Sequence, residues 1–179
     1  MTPNNSHPRL PLVDDISDIF DKLPAINLFR VAANAKTIYP AFIQYMYLLF
    51  KPMQLDARVE RLVVLYVGKL SECDYIWHQN VVVAKSLGIT EEQIYSLDRS
   101  ETQADCFSDA QKAALVFTEE ALRLIEVTDP VYAGASRFFN SQAITELIYV
   151  IGTYMLLARL ARTGRVPLDA TPAAASSLK

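Results

Sequence analysis

The sequence predicts an all-α protein, and three observations carry that prediction. Only five glycines occur in 179 residues. Apolar residues recur with a period near 3.6 and nowhere alternate convincingly with a period of two, which favours helices over strands. Two segments, TEEQ at 90–93 and SDAQ at 108–111, have the Ser/Thr-x-x-Gln pattern of a capping box at the start of a helix.

The boundaries of the predicted helices follow from residues that begin or end a helix. Pro40 suits the first turn of the helix AFIQYMYLLF. Asp56 suits an N-cap, and Gly88 and Gly164 suit the positions just after a helix. We predict helices at about 14–22, 27–35, 41–50, 57–70, 74–87, 90–97, 109–126, from around Pro130, and at about 142–162.

The chain is long enough for a single domain with a sizeable core, which we place at residues 14–168. Residues 1–13, rich in Pro and Asn, are predicted to be a flexible arm, and residues 169–179 a flexible tail. The net charge of -3 and the absence of a basic run argue against nucleic acid or an anionic membrane surface as partner. With no signal-like or membrane-spanning stretch and only two cysteines, the sequence predicts a soluble, cytoplasmic protein.

Two of the predicted helices are apolar on most sides. The helix at 57–70 is therefore expected to be enclosed by neighbours or to line a pocket. The helix at 142–162 is apolar all round except for Glu146 and its last turn, so we expect contacts between copies of the chain to cover part of it. Glu146 must be neutral, paired with an arginine, or turned toward a polar pocket where it could contact a substrate.

The stretch ECDYIWHQN at 72–80 holds the chain's single Trp, one of two Cys and one of two His. At 100° per residue, Cys73, Trp77 and Asn80 share one helix face with Ile76, whereas His78 falls with Tyr75. A cysteine at a helix N-terminus is expected to have a lowered pKa, because the helix dipole favours the thiolate. A second cysteine at position 76 would complete a redox pair, but that position holds isoleucine.

The chain from about 40 to 165 resembles the carboxymuconolactone decarboxylase family, which includes the alkylhydroperoxidase D-like proteins. The residues that carry the resemblance are LDARVERLVVLYVGKLSECDYIWHQNVVVAKSLGITEEQI and the later ELIYVIGTYMLLARL…GRVPLD. The resemblance implies an all-α fold around a helical hairpin, assembly into trimers or hexamers, and sites near subunit contacts. It also places Trp77 near the pocket.

Redox members of that family carry an upstream Glu followed by Cys-x-x-Cys-x-x-x-His. Matched by position, the first Cys is Cys73, the second is Ile76, the His is Asn80, and the Glu falls on Arg61, beside Glu60. Decarboxylating members lack the Cys pair and rely on acid–base groups at the same hairpin. The resemblance therefore favours acid–base chemistry here, on a small acid, lactone or enolisable carbonyl compound.

We predict roles for the site residues on that basis. His78 would donate or accept the proton, Arg61 would hold an anionic group, and Asn80 and Tyr75 would orient the substrate, with Trp77, Glu60 and Glu146 also in contact with it. No cofactor is implied, and no spacing of His, Cys, Asp or Glu predicts a metal site.

Plainer roles remain open for the same residues. His78 could be a surface or subunit-contact residue, Asn80 a buried hydrogen-bonding residue, and Cys73 a small buried apolar residue. A thiol peroxidase, with Cys106 as a possible resolving thiol for Cys73, is one alternative function. The other is a non-catalytic protein, which would be favoured if its own side chains filled the pocket.

Overall fold

The all-α prediction is confirmed by a computed structural model, which describes residues 7–16 and 23–170 and contains helices but no strand within those ranges. The helices are α1 (Asn27–Ala32), α2 (Tyr39–Leu49), α3 (Ala57–Leu70), α4 (Asp74–Ser86), α5 (Glu91–Asp98), α6 (Asp109–Leu124), α7 (Asp129–Ser136) and α8 (Ser141–Gly164). Of the helix predicted at 14–22, residues 14–16 are not helical, and 17–22 lie outside the described residues.

The predicted helix starts are confirmed by their hydrogen bonds. The Asp56 carboxylate accepts from the Arg58 and Val59 N–H groups, as an N-cap does. Both capping boxes are complete, with each cap hydroxyl bonded to the third helical N–H and the glutamine side chain bonded back to the cap N–H. Gly88 has φ +78°, the left-handed conformation that glycine adopts readily after a helix.

Helix α3 is the centre of the fold, in contact with α4, α5, α6 and α8. Ten of its residues, 59 to 68, are buried. This burial was predicted, because the helix is apolar on most of its sides. Helices α3 and α4 form a close hairpin at Gly68, where a side-chain carbon would lie 3.1 Å from Ile76 Cγ2 and 3.3 Å from the Trp77 backbone nitrogen. A glycine at this position therefore sets the separation of the two helices.

Parts of both predicted flexible ends lie against the domain. The Arg9 N–H donates to the Gly164 carbonyl at 2.9 Å, and the Val13 N–H donates to Arg30 at 3.2 Å. Asp169, assigned to the tail, accepts a hydrogen bond from the Asn27 N–H at 2.8 Å. The described ends thus close over α1 and the C-terminus of α8.

By length and composition alone α8 could cross a membrane, which the sequence reading did not anticipate. Half of its most apolar 18-residue window is nevertheless buried inside the domain. The remaining exposed apolar side chains on α8 are Ile148, Tyr149 and Leu156. The helix is therefore a core helix with one uncovered apolar face.

Candidate active site

A buried polar cluster joins α3, α4 and α8 at the centre of the domain. Arg61 donates a short hydrogen bond to Asn80 Oδ1 and pairs with Glu60 at 3.3 Å. It also interacts with the hydroxyl of Tyr154 on α8. The Asn80 amide is held in turn by a 2.7 Å hydrogen bond to the Ile76 carbonyl, so its oxygen is directed at the guanidinium.

Burial governs the electrostatics of this cluster. Glu60 and Arg61 are only 7% and 6% exposed. Burial raises the pKa of Glu60, and the charge of Arg61 only partly offsets that rise. Burial acts to lower the pKa of Arg61, but Glu60 and Tyr154 outweigh it and keep the guanidinium charged. The pair is thus a fixed cation beside a carboxyl group that takes up a proton more readily than an exposed one.

The pair lines a cavity of about 430 Å³ between the ends of α2, α3 and α4. Its other walls are mostly apolar and are formed by Leu49, Phe50, Lys51, Pro52, Met53, Leu55, Ala57, Val83 and Leu87. Arg61 Nε is buried and has no hydrogen-bond partner within the described residues. This size and lining suit a small, mostly apolar molecule that carries one polar or anionic group beside Arg61.

A smaller cavity of about 40 Å³ lies on the other side of the cluster. Its polar walls are Tyr75, Gln79, Asn80 and Tyr154, and the apolar residues Phe50 and Val83 separate it from the larger cavity. The Tyr75 hydroxyl and the Gln79 amide both donate short hydrogen bonds to the Asp169 carboxylate. Asp169 therefore closes this side of the cluster.

Two residues from the ECDYIWHQN stretch lie away from both cavities. His78 is exposed, and its Nδ1 lies 2.8 Å from the Asp74 carbonyl of its own helix. Trp77 packs with a separate apolar cluster that includes Leu62 and Leu65. The sequence prediction grouped His78 with Tyr75, but Tyr75 is buried and faces the smaller cavity. The angular count was too coarse, because residues 60° apart on a helix can fall on opposite sides of a burial boundary.

The expected activation of Cys73 is wrong. Cys73 is the N-cap of α4 and receives the favourable backbone hydrogen bonds that the sequence predicted, but it is only 2% exposed. Burial outweighs those hydrogen bonds and raises the pKa of the thiol. Cys106 belongs to the other apolar cluster and donates to Ser96 Oγ at 3.6 Å. Both cysteines are free.

Glu146 has neither an arginine partner nor a place in the cavity wall. Its carboxylate accepts from the Leu55 N–H at 2.7 Å and from the Gln142 amide at 2.9 Å. Partial burial acts to raise its pKa, but these bonds and one from the Gln54 N–H lower it overall. Because Leu55 lines the larger cavity, Glu146 acts as a positioning residue for the loop that forms that wall.

Three residues of the site were missed by sequence reasoning: Tyr154, Gln79 and Asp169. Tyr154 shares the buried face of α8 with Val150, Ile151, Leu157 and Ala158, so a face count along that helix could have placed it inward. Gln79 follows Tyr75 by one helical turn and could have been found in the same way. Nothing local marks Asp169, because its partners are about 90 and 142 residues away in the chain.

The raised pKa of Glu60 predicts that stability falls with rising pH. Between the unfolded-state pKa, near 4.5, and the higher folded-state pKa, the folded protein binds more protons than the unfolded chain. The free energy of unfolding therefore decreases as pH rises above about 4.5, and the change E60Q should flatten that decrease. Glu146, whose pKa is lowered, acts only below about pH 4.5. Thermal unfolding of the wild type and E60Q at several pH values tests this, with E119Q as the control variant at a different carboxyl group. If stability falls as steeply with pH in E60Q as in the wild type, the prediction is wrong.

The sequence matches no protein-family model and none of the curated proteins. Solved structures do match the fold. An uncharacterised peroxidase-related protein from Ralstonia eutropha with an alkylhydroperoxidase D core has a TM-score of 0.77 at 16% identity, over 92% of both chains. A peroxidase-related protein from a Silicibacter species has a TM-score of 0.76 at 18% identity, over 100% of this chain and 99% of that one.

A third match is a cysteine-to-alanine variant of the debrominase Bmp8 in complex with 2,3,4-tribromopyrrole. It has a TM-score of 0.74 at 15% identity, over 96% of this chain and 98% of the other. These matches extend over nearly the whole of each chain, and the central helical hairpin predicted from the resemblance is present as α3 and α4. The protein therefore has the alkylhydroperoxidase D-like fold.

Proposed function

We propose that the protein is a cofactor-free acid–base enzyme that acts on a small enolisable carbonyl compound, acid or lactone in the larger cavity. The observation that carries the proposal is the Glu60–Arg61 pair in the wall of an otherwise mostly apolar cavity of about 430 Å³. Such a cavity, left unfilled by the side chains of the described residues, favours a ligand-binding role over a purely structural one.

Glu60 takes the role that the sequence reading gave to His78. In the proposed step the Glu60 carboxylate accepts a proton from the carbon beside the substrate carbonyl, so a C–H bond breaks and an O–H bond forms. The electron pair moves onto the carbonyl oxygen as an enolate. Once Glu60 has accepted the proton it is neutral, so the positive charge of Arg61 can stabilise the enolate oxygen. Because both residues are buried, the attraction between the guanidinium and that oxygen is stronger than it would be in water. When the enolate is conjugated with a C=C bond, return of the proton to the far carbon of that system gives isomerisation.

A β-keto acid would react by a different first step: the bond to its carboxylate breaks, carbon dioxide leaves, and the electron pair forms the enolate beside Arg61. Protonated Glu60 then donates its proton to the carbon, which completes a decarboxylation.

Asn80 and Tyr154 act as positioning residues in this scheme. Asn80 Oδ1 accepts from the guanidinium and the Tyr154 hydroxyl also bonds to it, so both residues fix the position of this charge in the cavity wall. The debrominase of the same fold was captured with a small aromatic ligand. That complex supports a small, mostly apolar substrate.

The test follows exchange of solvent deuterium into the position beside the carbonyl of small ketones, γ-lactones and β-keto acids by NMR. We expect E60Q to lower the exchange rate of an accepted compound by about 10²-fold or more. E119Q, which changes a partly exposed carboxyl elsewhere, should leave the rate unchanged. Full exchange activity in folded E60Q, or no exchange of any of these compounds by the wild type, contradicts the proposal.

Thiol peroxidase chemistry is the second candidate, because structures of this fold include peroxidase-related proteins. The buried, high-pKa Cys73 disfavours it. We therefore expect iodoacetamide at pH 7 to modify Cys73 at least about tenfold more slowly than the partly exposed Cys106, as peptide mass spectrometry would measure. Preferential modification of Cys73, together with hydroperoxide reduction that is lost in C73S, would instead establish the thiol activity.

Self-association, as a trimer or hexamer in the cytoplasm, is also part of the proposal. Ile148, Tyr149 and Leu156 expose more than half of their surface along α8, and the Tyr149 ring lies 6.4 Å from the ring of Tyr45 on α2. We expect I148E to dissociate the assembly in light scattering coupled to gel filtration. L124E, a change at an equally exposed leucine on α6, should leave the assembly intact. A wild type that is monomeric at tens of micromolar protein contradicts this part.

A further inference from the structure

We propose that Asp169 is an internal ligand: its carboxylate occupies a recognition site for small carboxylic acids formed by Tyr75, Gln79 and the Asn27 N–H. On this view the C-terminal strap, residues 165–170, closes the smaller cavity, and an external carboxylate competes with Asp169 for the same donors. The inference is independent of the chemistry proposed for Glu60.

The donors converge on the two carboxylate oxygens. The Asn27 N–H donates to Oδ1 at 2.8 Å, whereas the Tyr75 hydroxyl and the Gln79 amide both donate to Oδ2. Tyr75 and Gln79 are buried on α4, and the Gln79 amide also donates to the Tyr75 hydroxyl at 3.4 Å. Leaving the buried Tyr75 hydroxyl without an acceptor would be costly, and a carboxylate can accept from all three donors of the niche at once.

Tyr75 is oriented independently of the strap. Its oxygen accepts from the Leu28 N–H at 3.2 Å, which leaves the hydroxyl proton available to an acceptor in the niche. Burial raises the pKa of Tyr75, with a further rise from the hydrogen bond to Asp169, so the hydroxyl remains a donor at physiological pH. The niche would thus keep its donors when Asp169 leaves.

Outside the niche, hydrogen bonds hold the strap at Pro167 and Val166. The Asn27 side chain donates to the Pro167 carbonyl at 3.2 Å, and the Val166 N–H donates to Ala161 at 2.9 Å. Leu168 is half exposed, and Asp169 is only partly buried. Movement of residues 167–170 alone would therefore open the niche without disturbing α8.

The smaller cavity indicates what kind of acid would fit. It adjoins the niche through Tyr75 and Gln79, and the apolar residues Phe29, Met46 and Leu157 form much of its wall. Its volume is about 40 Å³ while Asp169 occupies the neighbouring niche. A short aliphatic monocarboxylate would place its carboxylate on the three donors and its carbon chain against the apolar wall.

The test compares binding of sodium butyrate with that of 1-butanol, by calorimetry at constant ionic strength. Removing the internal competitor in D169A should tighten butyrate binding by about tenfold or more relative to the wild type. Butanol binding should change far less, and the added change Y75F should abolish the gain. D14A is the matched control, because Asp14 also pairs through its carboxylate, with Arg30 at 3.0 Å, but is fully exposed.

D169N, which keeps the side-chain volume but loses the charge, covers the case in which D169A is poorly folded. If both variants unfold, butyrate should restore folding by taking the vacant niche, as circular dichroism would measure. The proposal is overturned if the folded variants bind butyrate no more tightly than the wild type does, or if butanol binding tightens equally. It is also overturned if the tighter butyrate binding persists in the presence of Y75F, or if butyrate does not refold the unfolded variants.

Discussion

Replacing Arg61 with alanine is expected to lower the free energy of unfolding by about 3–5 kcal/mol, measured by urea denaturation at pH 7. The change removes the cation beside Glu60 and leaves that carboxylate buried with no opposite charge in contact. It also removes the donor to Asn80 Oδ1, so a buried amide oxygen loses its partner. The loss should shrink as pH falls, because protonation of Glu60 removes the charge that Arg61 compensates.

The double change E60Q/R61M separates lost pairing from lost packing. With both charges gone, the cost of burying an unpaired ion disappears, so the double variant should be more stable than R61A. R58A, which changes an exposed arginine one turn earlier on α3, should lie within about 0.5 kcal/mol of the wild type. All variants are compared at one protomer concentration. The prediction fails if R61A loses less than 1 kcal/mol or the double variant is the less stable of the two.

The sequence was sufficient for the helices because their determinants are local. Asp56, Thr90 and Ser108 cap helices through bonds to residues no more than three positions away. The burial of α3 was also foreseeable, since a helix apolar on most sides has to be covered. The all-α class followed from these features, whereas the central hairpin was expected from the resemblance to the alkylhydroperoxidase D-like proteins.

The candidate site was foreseeable only in part. Arg61 and Asn80 were expected in it, and the structure places them in direct contact. His78 was expected there as well, but it is exposed. A rotation of α4 by a few tens of degrees about its axis decides whether a residue at that position is buried. The periodicity of apolar residues does not determine the rotation of a helix that precisely. Asp169 reaches Tyr75 only after the whole chain has folded, so no sequence window contains that contact.

Cys73 illustrates a competition that sequence position cannot decide. Its place at the start of α4 acts to lower the pKa of its thiol, whereas its burial acts to raise that pKa. In this protein the effect of burial is the larger. Which effect is larger depends on how closely α3 approaches. Gly68 sets that approach, because an added side-chain carbon there would lie 3.1 Å from Ile76 Cγ2.

The change G68V is expected to lower the free energy of unfolding by about 1–3 kcal/mol, through overpacking between α3 and α4. The first added carbon would meet Ile76 Cγ2 at 3.1 Å, and the Trp77 backbone nitrogen behind it can move only if α4 moves. The two further methyl groups of valine make that movement unavoidable. Because Arg61 and Asn80 bridge the same two helices, wider spacing should also lengthen their hydrogen bond.

Two alanine variants isolate this packing effect from helix propensity. Gly134 in α7 has no atom within 4 Å of an added side-chain carbon, so G134A should gain about 0.5–1 kcal/mol from lower backbone entropy in the unfolded chain. G68A receives the same gain but meets the tight contact with α4, so its stability should fall between those of G134A and G68V. Urea denaturation gives the order, and a G68V protein as stable as the wild type would mean that the hairpin has room at this position and that Gly68 does not set its spacing.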